Sequence, residues 1–259
     1  MIIAGVDAGV STAKAVILEN GSPAAEALAP AGAGSTVQAA SDALASACWK
    51  AGVELSEVER TVVTGMGGHR VGFADRVESE SSCLARGIHW RRPQARTVLD
   101  VGYQKCLAVS CDGCRPVKFR HNDRCASGSG RFLEMVAEVF QVDVSALGAM
   151  SLAAEGAVEI ENTCAVFAES EIVTLVHAGR RPEDIVRGVH QALAHRVMTL
   201  LMQVDWSDEM CLVGGVARNA GFARELGIAL GTTVIVPPQP EFIAALGAAL
   251  SGVREAEAA

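Results

Sequence analysis

Two cysteines stand where a thiol would face the positive end of a helix. Cys125, within HNDRCASGSGRFLE, comes just before a Ser/Gly-rich turn that runs into a helix-like segment. Cys164, within ENTCAVFAESEIVTLV, precedes a second helix-like stretch. Free backbone N–H groups at a helix start favour a thiolate over a thiol. The residue types allow a metal or cluster ligand, a redox thiol or a plain buried cysteine at each position.

A second set of residues suits the binding of phosphate. Glycine lets backbone N–H groups approach phosphate oxygens, hydroxyl groups add donors, and lysine neutralises charge. An aspartate at the end of a strand can hold a hydrated Mg²⁺. The opening MIIAGVDAGVSTAK supplies these types as Asp7, Gly9, Ser11, Thr12 and Lys14. For one such copy taken alone, a plain hairpin turn is an equal alternative.

The same pattern recurs near residue 97. In TVLDVGYQKCLAVS an apolar run again ends in Asp100-x-Gly102, and Gln104 and a second β-run follow. Two such openings predict an internal duplication. Asp7 and Asp100 are therefore the two candidate catalytic carboxylates.

A third element suits the rest of a nucleotide. MCLVGGVARNAGFARELGIAL begins with a β-run, continues with Gly214 and Gly215, and leads into a helix that carries Asn219. Paired glycines would admit the flat face of an adenine base and its ribose against the backbone. The sequence thus predicts two phosphate turns and an adenosine loop.

The surrounding patterns predict the elements that position these residues. MIIAGVDAG, STAK and AVILEN are typical of strand, turn and strand, which makes a hairpin. The segment from residue 97 predicts three strands, with a turn at Asp112-Gly113. An alanine-rich helix is predicted over residues 241–253, because PPQP ends the strand before it.

The chain has eight cysteines, and most are predicted to be structural. Cys111-x-x-Cys114, with Cys106 nearby, is a rival ligand set of the kind that binds zinc or forms a redox pair. Because the pair flanks an Asp-Gly turn, a hairpin tip is the favoured interpretation. The cysteines predicted to be buried or structural are Cys48, Cys83 and Cys211.

Other polar residues are interpreted as surface or core residues rather than as parts of a functional site. Glu169 and Glu171, after Cys164, are interpreted as a solvated helix face, with contact to nucleotide or Mg²⁺ as the alternative. Three histidines lack the spacing of metal ligands and are predicted to be surface or core polar residues. They are His177, His190 and His195.

Composition limits the class of protein. The 259 residues are 50% hydrophobic and 20% charged, which predicts a soluble globular chain of about two domains. A net charge of −8 argues against a nucleic-acid partner. No apolar run approaches the roughly 18 residues of a membrane span, and the N-terminus does not resemble a signal peptide. We therefore expect no membrane partner and a cytoplasmic location.

The phosphate and adenosine motifs resemble those of the ATPase superfamily of acetate kinases, sugar kinases, Hsp70 and actin. More narrowly, NDRCASGSGRFLE, NTCAVFAESE and PEFIAALGAAL are similar to the activator ATPases of 2-hydroxyacyl-CoA dehydratases and the ATPase subunits of benzoyl-CoA reductase. The resemblance implies an α/β fold with two ribonuclease-H-like lobes and an ATP cleft between them. The lobes are expected at residues 1–95 plus 238–259, and at residues 96–237.

The resemblance also implies a redox cofactor. In this family a homodimer, or a heterodimer of similar subunits, shares one [4Fe-4S] cluster, and the matching cysteines here are Cys125 and Cys164. Such a cluster needs four thiolates, so two per chain require a second chain. ATP/ADP and Mg²⁺ are the other implied cofactors. The implied activity is ATP-driven electron transfer from a ferredoxin or flavodoxin to an acyl-CoA dehydratase or reductase partner.

The second phosphate turn departs from the family pattern. Gly-Gly-Gln-Asp-x-Lys is usual, but Tyr103, Lys105 and Leu107 stand here in place of a glycine, the acidic residue and the basic residue. Val10 also replaces a small polar residue. These changes leave two alternatives, a subunit of a heteromeric reductase with weakened hydrolysis and a small-molecule kinase of the same superfamily. The kinase alternative leaves both cysteine motifs unexplained.

Overall fold

A computed structural model describes residues 1–32, 35–122, 128–161, 164–207 and 209–256. The chain divides into two compact units. The first unit comprises Met1–Arg96, Cys111–Val117 and Glu241–Ala259, and the second unit comprises Thr97–Ser110 and Lys118–Pro240. In the described ranges we find no helix that combines the length and apolarity needed to cross a bilayer.

The first unit contains a five-stranded sheet of order β3-β2-β1-β4-β5. Strands β1 to β3 are antiparallel neighbours, and β4 and β5 continue the sheet in parallel with β1. A tight Asn20-Gly21 turn with positive φ at both residues joins β2 to β3, as short hairpins favour. The strands are β1 (Ile2–Ala8), β2 (Thr12–Glu19), β3 (Ser22–Pro30), β4 (Arg60–Thr64) and β5 (Arg76–Val77).

Helices cover both faces of this sheet. Alternate residues of β1 point to opposite faces, so Ala4, Val6 and Ala8 pack with the alanine-rich side of one helix while Ile3 packs with the C-terminal helix. This double cover explains why β1 and β2 are almost continuously apolar. The helices of the first unit are α1 (Thr36–Ala51), α2 (Glu80–Arg91) and the chain's last helix, α8 (Ile243–Ala256).

Small residues allow close packing of these helices. A Cβ atom at Gly247 of α8 would overlap the carbonyl group of Cys83 in α2, so the two helices approach at glycine distance. The alanine-rich helix predicted over residues 241–253 begins slightly later, at Ile243, because Pro240–Phe242 form a 3₁₀ turn. The predicted burial of three cysteines is confirmed, with at most 3% exposure at Cys48, Cys83 and Cys211.

A second sheet, of order β8-β7-β6-β9, repeats this strand order and belongs to the second unit, except that Cys111–Val117 at the tip of the β7–β8 hairpin are grouped with the first unit. Strand β6 is antiparallel to β7 and parallel to β9, and a parallel bridge from Cys211 to Ile235 adds a fifth position. The predicted turn is confirmed, because β7 ends at Asp112 and Gly113 has φ 57°. The strands are β6 (Thr97–Val101), β7 (Cys106–Asp112), β8 (Arg115–His121) and β9 (Met210–Val213).

The described part of the second unit contains five α-helices, and their apolar faces build its core with β6 and β9. Together the two sheets and their helices confirm the predicted α/β class. The helices are α3 (Gly130–Phe140), α4 (Ala146–Leu152), α5 (Ala165–His177), α6 (Pro182–Leu201) and α7 (Ala220–Leu230).

Candidate functional site

The first predicted phosphate turn joins β1 to β2. Asp7 lies opposite Lys14 in the antiparallel register, and residues 9–12 form the turn. Lys14 Nζ lies 3.5 Å from Asp7 Oδ2, and the two side chains are only 14% and 17% exposed. Lys14 Nζ also donates to the Thr12 carbonyl at 3.4 Å. The ammonium group is therefore held beside the turn, where it can neutralise an anion.

Gly9 is required by the shape of this turn. A Cβ atom at Gly9 would lie 2.5 Å from the Thr12 carbonyl oxygen, a distance that no side chain tolerates. The Ser11 carbonyl accepts from Ala31 N at 2.7 Å, which ties the turn to the end of β3. Ser11 and Thr12 are half-buried, whereas Val10, the departure from the family pattern, is exposed. The turn thus presents glycine and hydroxyl groups on a fixed backbone.

A glycine loop follows β4 and lies beside Asp7, a contact that was not predicted from the sequence. Gly65 has φ 91°, and a Cβ atom there would overlap Asp7 Oδ1. Gly67 N donates to the Ala8 carbonyl at 2.9 Å. The available signal was TGMGG directly after a buried β-run. The carboxyl ends of the parallel strands β1 and β4 meet at one edge, which is where open α/β sheets bind ligands.

The second predicted phosphate turn has the same construction. Asp100 lies opposite Leu107, and residues 102–105 form the turn from β6 to β7. Gly102 N donates to the Lys105 carbonyl at 2.9 Å, and Gln104 is half-buried in the turn. Leu107, which is 3% exposed, has the strand position that Lys14 has in the first unit. An apolar side chain thus replaces the ammonium group.

The adenosine loop meets Asp100 through Gly214. This glycine follows β9 with φ 85°, and a Cβ atom there would overlap Asp100 Oδ1. The close approach of Gly214 to Asp100 in the second unit therefore matches the close approach of Gly65 to Asp7 in the first unit. A Cβ atom at the exposed Gly215 would have no atom of the described residues within 4 Å, so this part of the loop has room for a flat ligand.

The side chain of Asn219 is bonded to two groups of the second unit. Its Oδ1 accepts from Phe222 N at 2.9 Å, which caps the start of α7. Its Nδ2 lies 3.0 Å from His190 Nε2. His190 is fully buried, and burial lowers its pKa to about 4, so the ring is neutral and can accept this hydrogen bond. His190 is thus a core polar residue as predicted, while His177 and His195 are exposed.

Cys164 is an exposed N-cap residue. It precedes α5 with φ −88° and ψ 132°, and its own side chain makes no capping hydrogen bond to the described residues. The first returning bond is Ala168 N to the Cys164 carbonyl at 2.9 Å, so the N–H groups of residues 165–167 are those that helix geometry leaves free. The thiol therefore lies beside donors that can stabilise negative charge on sulfur.

Cys125 lies outside the described residues. Among those that are described, no group of three or more His, Cys, Asp and Glu side chains could hold a metal. A metal or cluster bound by Cys164 would therefore need ligands beyond the described residues of this chain. Helix α3, which follows Cys125 in sequence, packs against α5.

The rival cysteines form no comparable site. Cys111 is buried on β7 and Cys114 is half-buried in the turn that follows, which is the predicted hairpin tip. Cys106 is buried, burial raises its pKa, and its thiol donates to the Gly128 carbonyl. Glu169 is exposed, whereas Glu171 Oε1 accepts from Glu161 N at 2.9 Å and braces the segment before Cys164.

Several known proteins are similar to this chain in sequence and in fold over nearly its full length. The profile of the BadF/BadG/BcrA/BcrD ATPase family matches residues 4–252. The chain is 39% identical to the 2-hydroxyisocaproyl-CoA dehydratase activator of Clostridioides difficile, over 99% of this chain and 97% of the relative. It is 37% identical to the activator of lactoyl-CoA dehydratase of Anaerotignum propionicum, over 99% of both.

A solved structure leads to the same family. The Clostridium difficile activator of 2-hydroxyisocaproyl-CoA dehydratase with bound ADPNP matches with a TM-score of 0.95 at 38% identity, over 100% of this chain and 96% of that one. The resemblance inferred from the phosphate and cysteine motifs is thereby confirmed, and the chain belongs to the BadF/BadG/BcrA/BcrD ATPase family.

Proposed function

We propose that this chain is an ATP-dependent activator that delivers low-potential electrons to a 2-hydroxyacyl-CoA dehydratase or a benzoyl-CoA reductase-type partner. Relatives of 39% and 37% identity carry the name of dehydratase activators. The observation that carries the proposal is the exposed Cys164 at the N-cap position of α5. A ferredoxin or flavodoxin would supply the electron.

A [4Fe-4S] cluster fits the chemistry of these thiols. Cys125 and Cys164 of this chain, with the same pair from a second copy or a similar subunit, would supply the four thiolates. When bound, the cluster supplies one-electron transfer. The N–H groups at the start of α5 stabilise the negative charge of the Cys164 thiolate.

The nucleotide would bind at the glycine turns. In the first unit, the N–H groups of the Gly9 turn, the hydroxyls of Ser11 and Thr12, and Lys14 suit phosphate, and the Asp7 carboxylate suits hydrated Mg²⁺. In the second unit, Asp100, Gly102 and Gln104 would take a second part of the phosphate chain. The open backbone at Gly214 and Gly215 would take adenosine, and Asn219 would shape that loop from the start of α7.

Iron and sulfide analysis under anoxic conditions tests the cluster. We expect a brown protein with about four iron and four sulfide per dimer. Cys125→Ala and Cys164→Ala should each lose most of the iron, whereas Cys114→Ala, a matched change at the half-buried turn cysteine, should retain it. Full iron in Cys164→Ala would contradict the proposed ligand set.

A heteromeric subunit with weakened hydrolysis is the second candidate. It is favoured by the register that pairs Asp100 with Leu107, where the first unit pairs Asp7 with Lys14. The two candidates differ in ATP turnover by the purified chain. Steady hydrolysis by this chain alone supports the activator. Tight ADPNP binding without turnover, restored by a similar subunit, supports the second candidate.

A further inference from the structure

His190 on helix α6 is a buried histidine that neither the phosphate turns nor the cysteines use. Its side chain is 0% exposed, and burial lowers its pKa to about 4, so the ring is neutral at physiological pH. Its Nε2 lies 3.0 Å from Asn219 Nδ2, while its Nδ1 is buried with no hydrogen-bond partner among the described residues. A buried ring that is bonded at one nitrogen alone requires an explanation.

The neighbouring groups decide which atom donates in this bond. Phe222 N is a backbone donor, so the Asn219 atom that lies 2.9 Å from it is the carbonyl oxygen Oδ1. The amide nitrogen Nδ2 therefore faces His190 and donates to Nε2, which leaves the ring proton on Nδ1. Bonds at both ends of the amide group fix its plane, whereas the bond to Phe222 alone would leave the plane free to rotate.

Stability does not account for a histidine at this position. A buried N–H group without a partner costs at least as much free energy as one neutral hydrogen bond contributes. Helix α7 is also held against α6 elsewhere, because Arg187 Nε and Gln191 Nε2 donate to the Glu225 carboxylate at 3.0 and 2.9 Å. The bond from Asn219 to His190 is therefore not needed to dock the two helices, and its effect is local to the Asn219 side chain.

Asn219 joins the predicted adenosine loop to helix α7. Its N donates to the Val216 carbonyl at 2.9 Å, which closes the turn Gly215–Arg218, and its Oδ1 caps α7. Phe222 N and His190 Nε2 are the hydrogen-bond partners of its side chain among the described residues, so Nδ2 retains one hydrogen for a further acceptor. Asn219 is half-buried rather than enclosed, so a ligand can reach it.

We propose that His190 is a positioning residue for adenosine: it accepts one hydrogen bond from the Asn219 amide, so that the second hydrogen of this amide is held for an acceptor of the base or the ribose at Gly214 and Gly215. The proposal rests on the proposed function, because it requires adenosine at this loop. His190 itself would not touch the nucleotide, and its whole contribution would pass through Asn219.

Calorimetry with ADPNP on the full chain tests this role. His190→Leu fills the site with an apolar side chain and removes the acceptor, so the affinity for ADPNP should fall about 3- to 10-fold, the range expected for one hydrogen bond. His190→Gln retains an acceptor for the Asn219 amide and should bind ADPNP as the wild type does. An equal loss of affinity in the Leu and Gln variants would contradict the role of the accepted bond.

Gln191→Leu is the matched control. Gln191 is the next residue of α6 and also donates to α7, but its partner is Glu225, in the second turn of that helix rather than at its cap. This change should lower the urea midpoint, because it removes a bond to a buried carboxylate, and should leave the affinity for ADPNP within about twofold. A loss of affinity as large as that of His190→Leu would trace the effect to α6–α7 packing in general and overturn the specific role.

A double-mutant cycle with Asn219→Ser tests whether His190 acts through Asn219. Serine still caps α7 but has no amide N–H to donate to His190. His190→Leu should therefore cost no further affinity for ADPNP in the Asn219→Ser background, because both changes disrupt one unit. If His190→Leu weakens binding by the same factor in both backgrounds, His190 does not act through Asn219.

Two further results separate this role from the proposed function. If folded His190→Leu binds ADPNP as tightly as the wild type, the positioning role is wrong and the nucleotide site stands. If the wild type binds no ADPNP, the proposed function fails, and the positioning role fails with it. Urea midpoints provide the folding control, and His190→Met, which has only a weak thioether acceptor, takes the place of His190→Leu if that variant does not fold.

Discussion

Lys14 Nζ lies 3.5 Å from Asp7 Oδ2 across the first hairpin, and the matching register position in the second hairpin pairs Asp100 with Leu107. Both hairpins have turns of the same length, and both aspartates lie against a positive-φ glycine from the neighbouring parallel strand. The backbone construction is therefore repeated while the charge is not. We infer that the first turn contributes more of the electrostatic attraction for phosphate.

Lys14→Met tests whether the first turn contributes more of the electrostatic attraction for phosphate than the second turn does. We expect ADPNP affinity to fall about 10- to 100-fold, because a charge-assisted hydrogen bond to phosphate contributes about 1.5–3 kcal/mol. Isothermal calorimetry provides the measurement. Lys118→Met is the matched control, because Lys118 pairs with the exposed Asp205 and should bind ADPNP as the wild type does. The same affinity in both variants would rule out phosphate contact by Lys14.

Gly214→Ala should destabilise the chain by at least about 3 kcal/mol. Gly214 has φ 85° and ψ 176°, a region that only glycine adopts, and the new Cβ atom would overlap Asp100 Oδ1. Gly231→Ala is the control, with φ 68° and ψ 22° and no described atom within 4 Å of the added carbon. It should cost only about 1 kcal/mol. Urea unfolding measures both, and equal losses would contradict the close approach.

Much of this architecture could be predicted from local sequence. Apolar runs that end in Asp-x-Gly identify both hairpins, since strand periodicity and turn chemistry are local properties. The contact between Gly65 and Asp7 could not be predicted that way, because it depends on the parallel pairing of β1 with β4 across a long separation in sequence. Hydrogen bonds between residues far apart in sequence also join the second predicted phosphate turn to the start of α3.

Asn219 shows a second limit of local reasoning. Its position after Gly214-Gly215 predicts contact with a nucleotide, and within the protein its side chain also caps α7 and reaches His190 on α6. The N-cap role was readable from Asn before a helix-like run. The histidine contact was not, because it requires the packing of α6 against α7.

His190 should make stability depend on pH. Burial lowers its pKa from 6.5 to about 4, so the unfolded chain binds the proton more tightly than the folded chain. Stability is therefore unaffected by His190 above about pH 6.5 and falls as the pH drops toward 4. Between pH 8 and pH 5 the loss should be about 2 kcal/mol.

The comparison with His190→Gln isolates this titration. Glutamine can accept from Asn219 but does not titrate, so the variant should lack this part of the pH dependence. Urea unfolding of both proteins at pH 8 and pH 5 gives the difference. An identical pH dependence in the two proteins would exclude a neutral buried His190.

Arg187→Met should destabilise the chain, because it removes the ion-pair partner of the buried Glu225 carboxylate. Glu225 has a side chain only 1% exposed, and its Oε1 accepts from Arg187 Nε at 3.0 Å while Gln191 donates to Oε2 at 2.9 Å. Losing the guanidinium group should cost about 2–4 kcal/mol.

The exposed pair of Arg181 with Glu155 provides the contrast, since both side chains are largely in solvent. Arg181→Met should destabilise the chain much less than Arg187→Met, because solvent screens an exposed ion pair. Urea unfolding at pH 7 compares the two variants. A smaller loss for Arg187→Met than for Arg181→Met would contradict the buried ion pair between α6 and α7.

Tyr103 is the only tyrosine in the 259 residues, and it lies where the second predicted phosphate turn meets the start of helix α3. Every tyrosine signal of this chain therefore comes from that junction. Fluorotyrosine incorporated biosynthetically gives a single ¹⁹F resonance, and phenolate absorbance titrates a single group. The molecule therefore contains a site-specific reporter of this junction in solution, at a residue that is already part of the sequence.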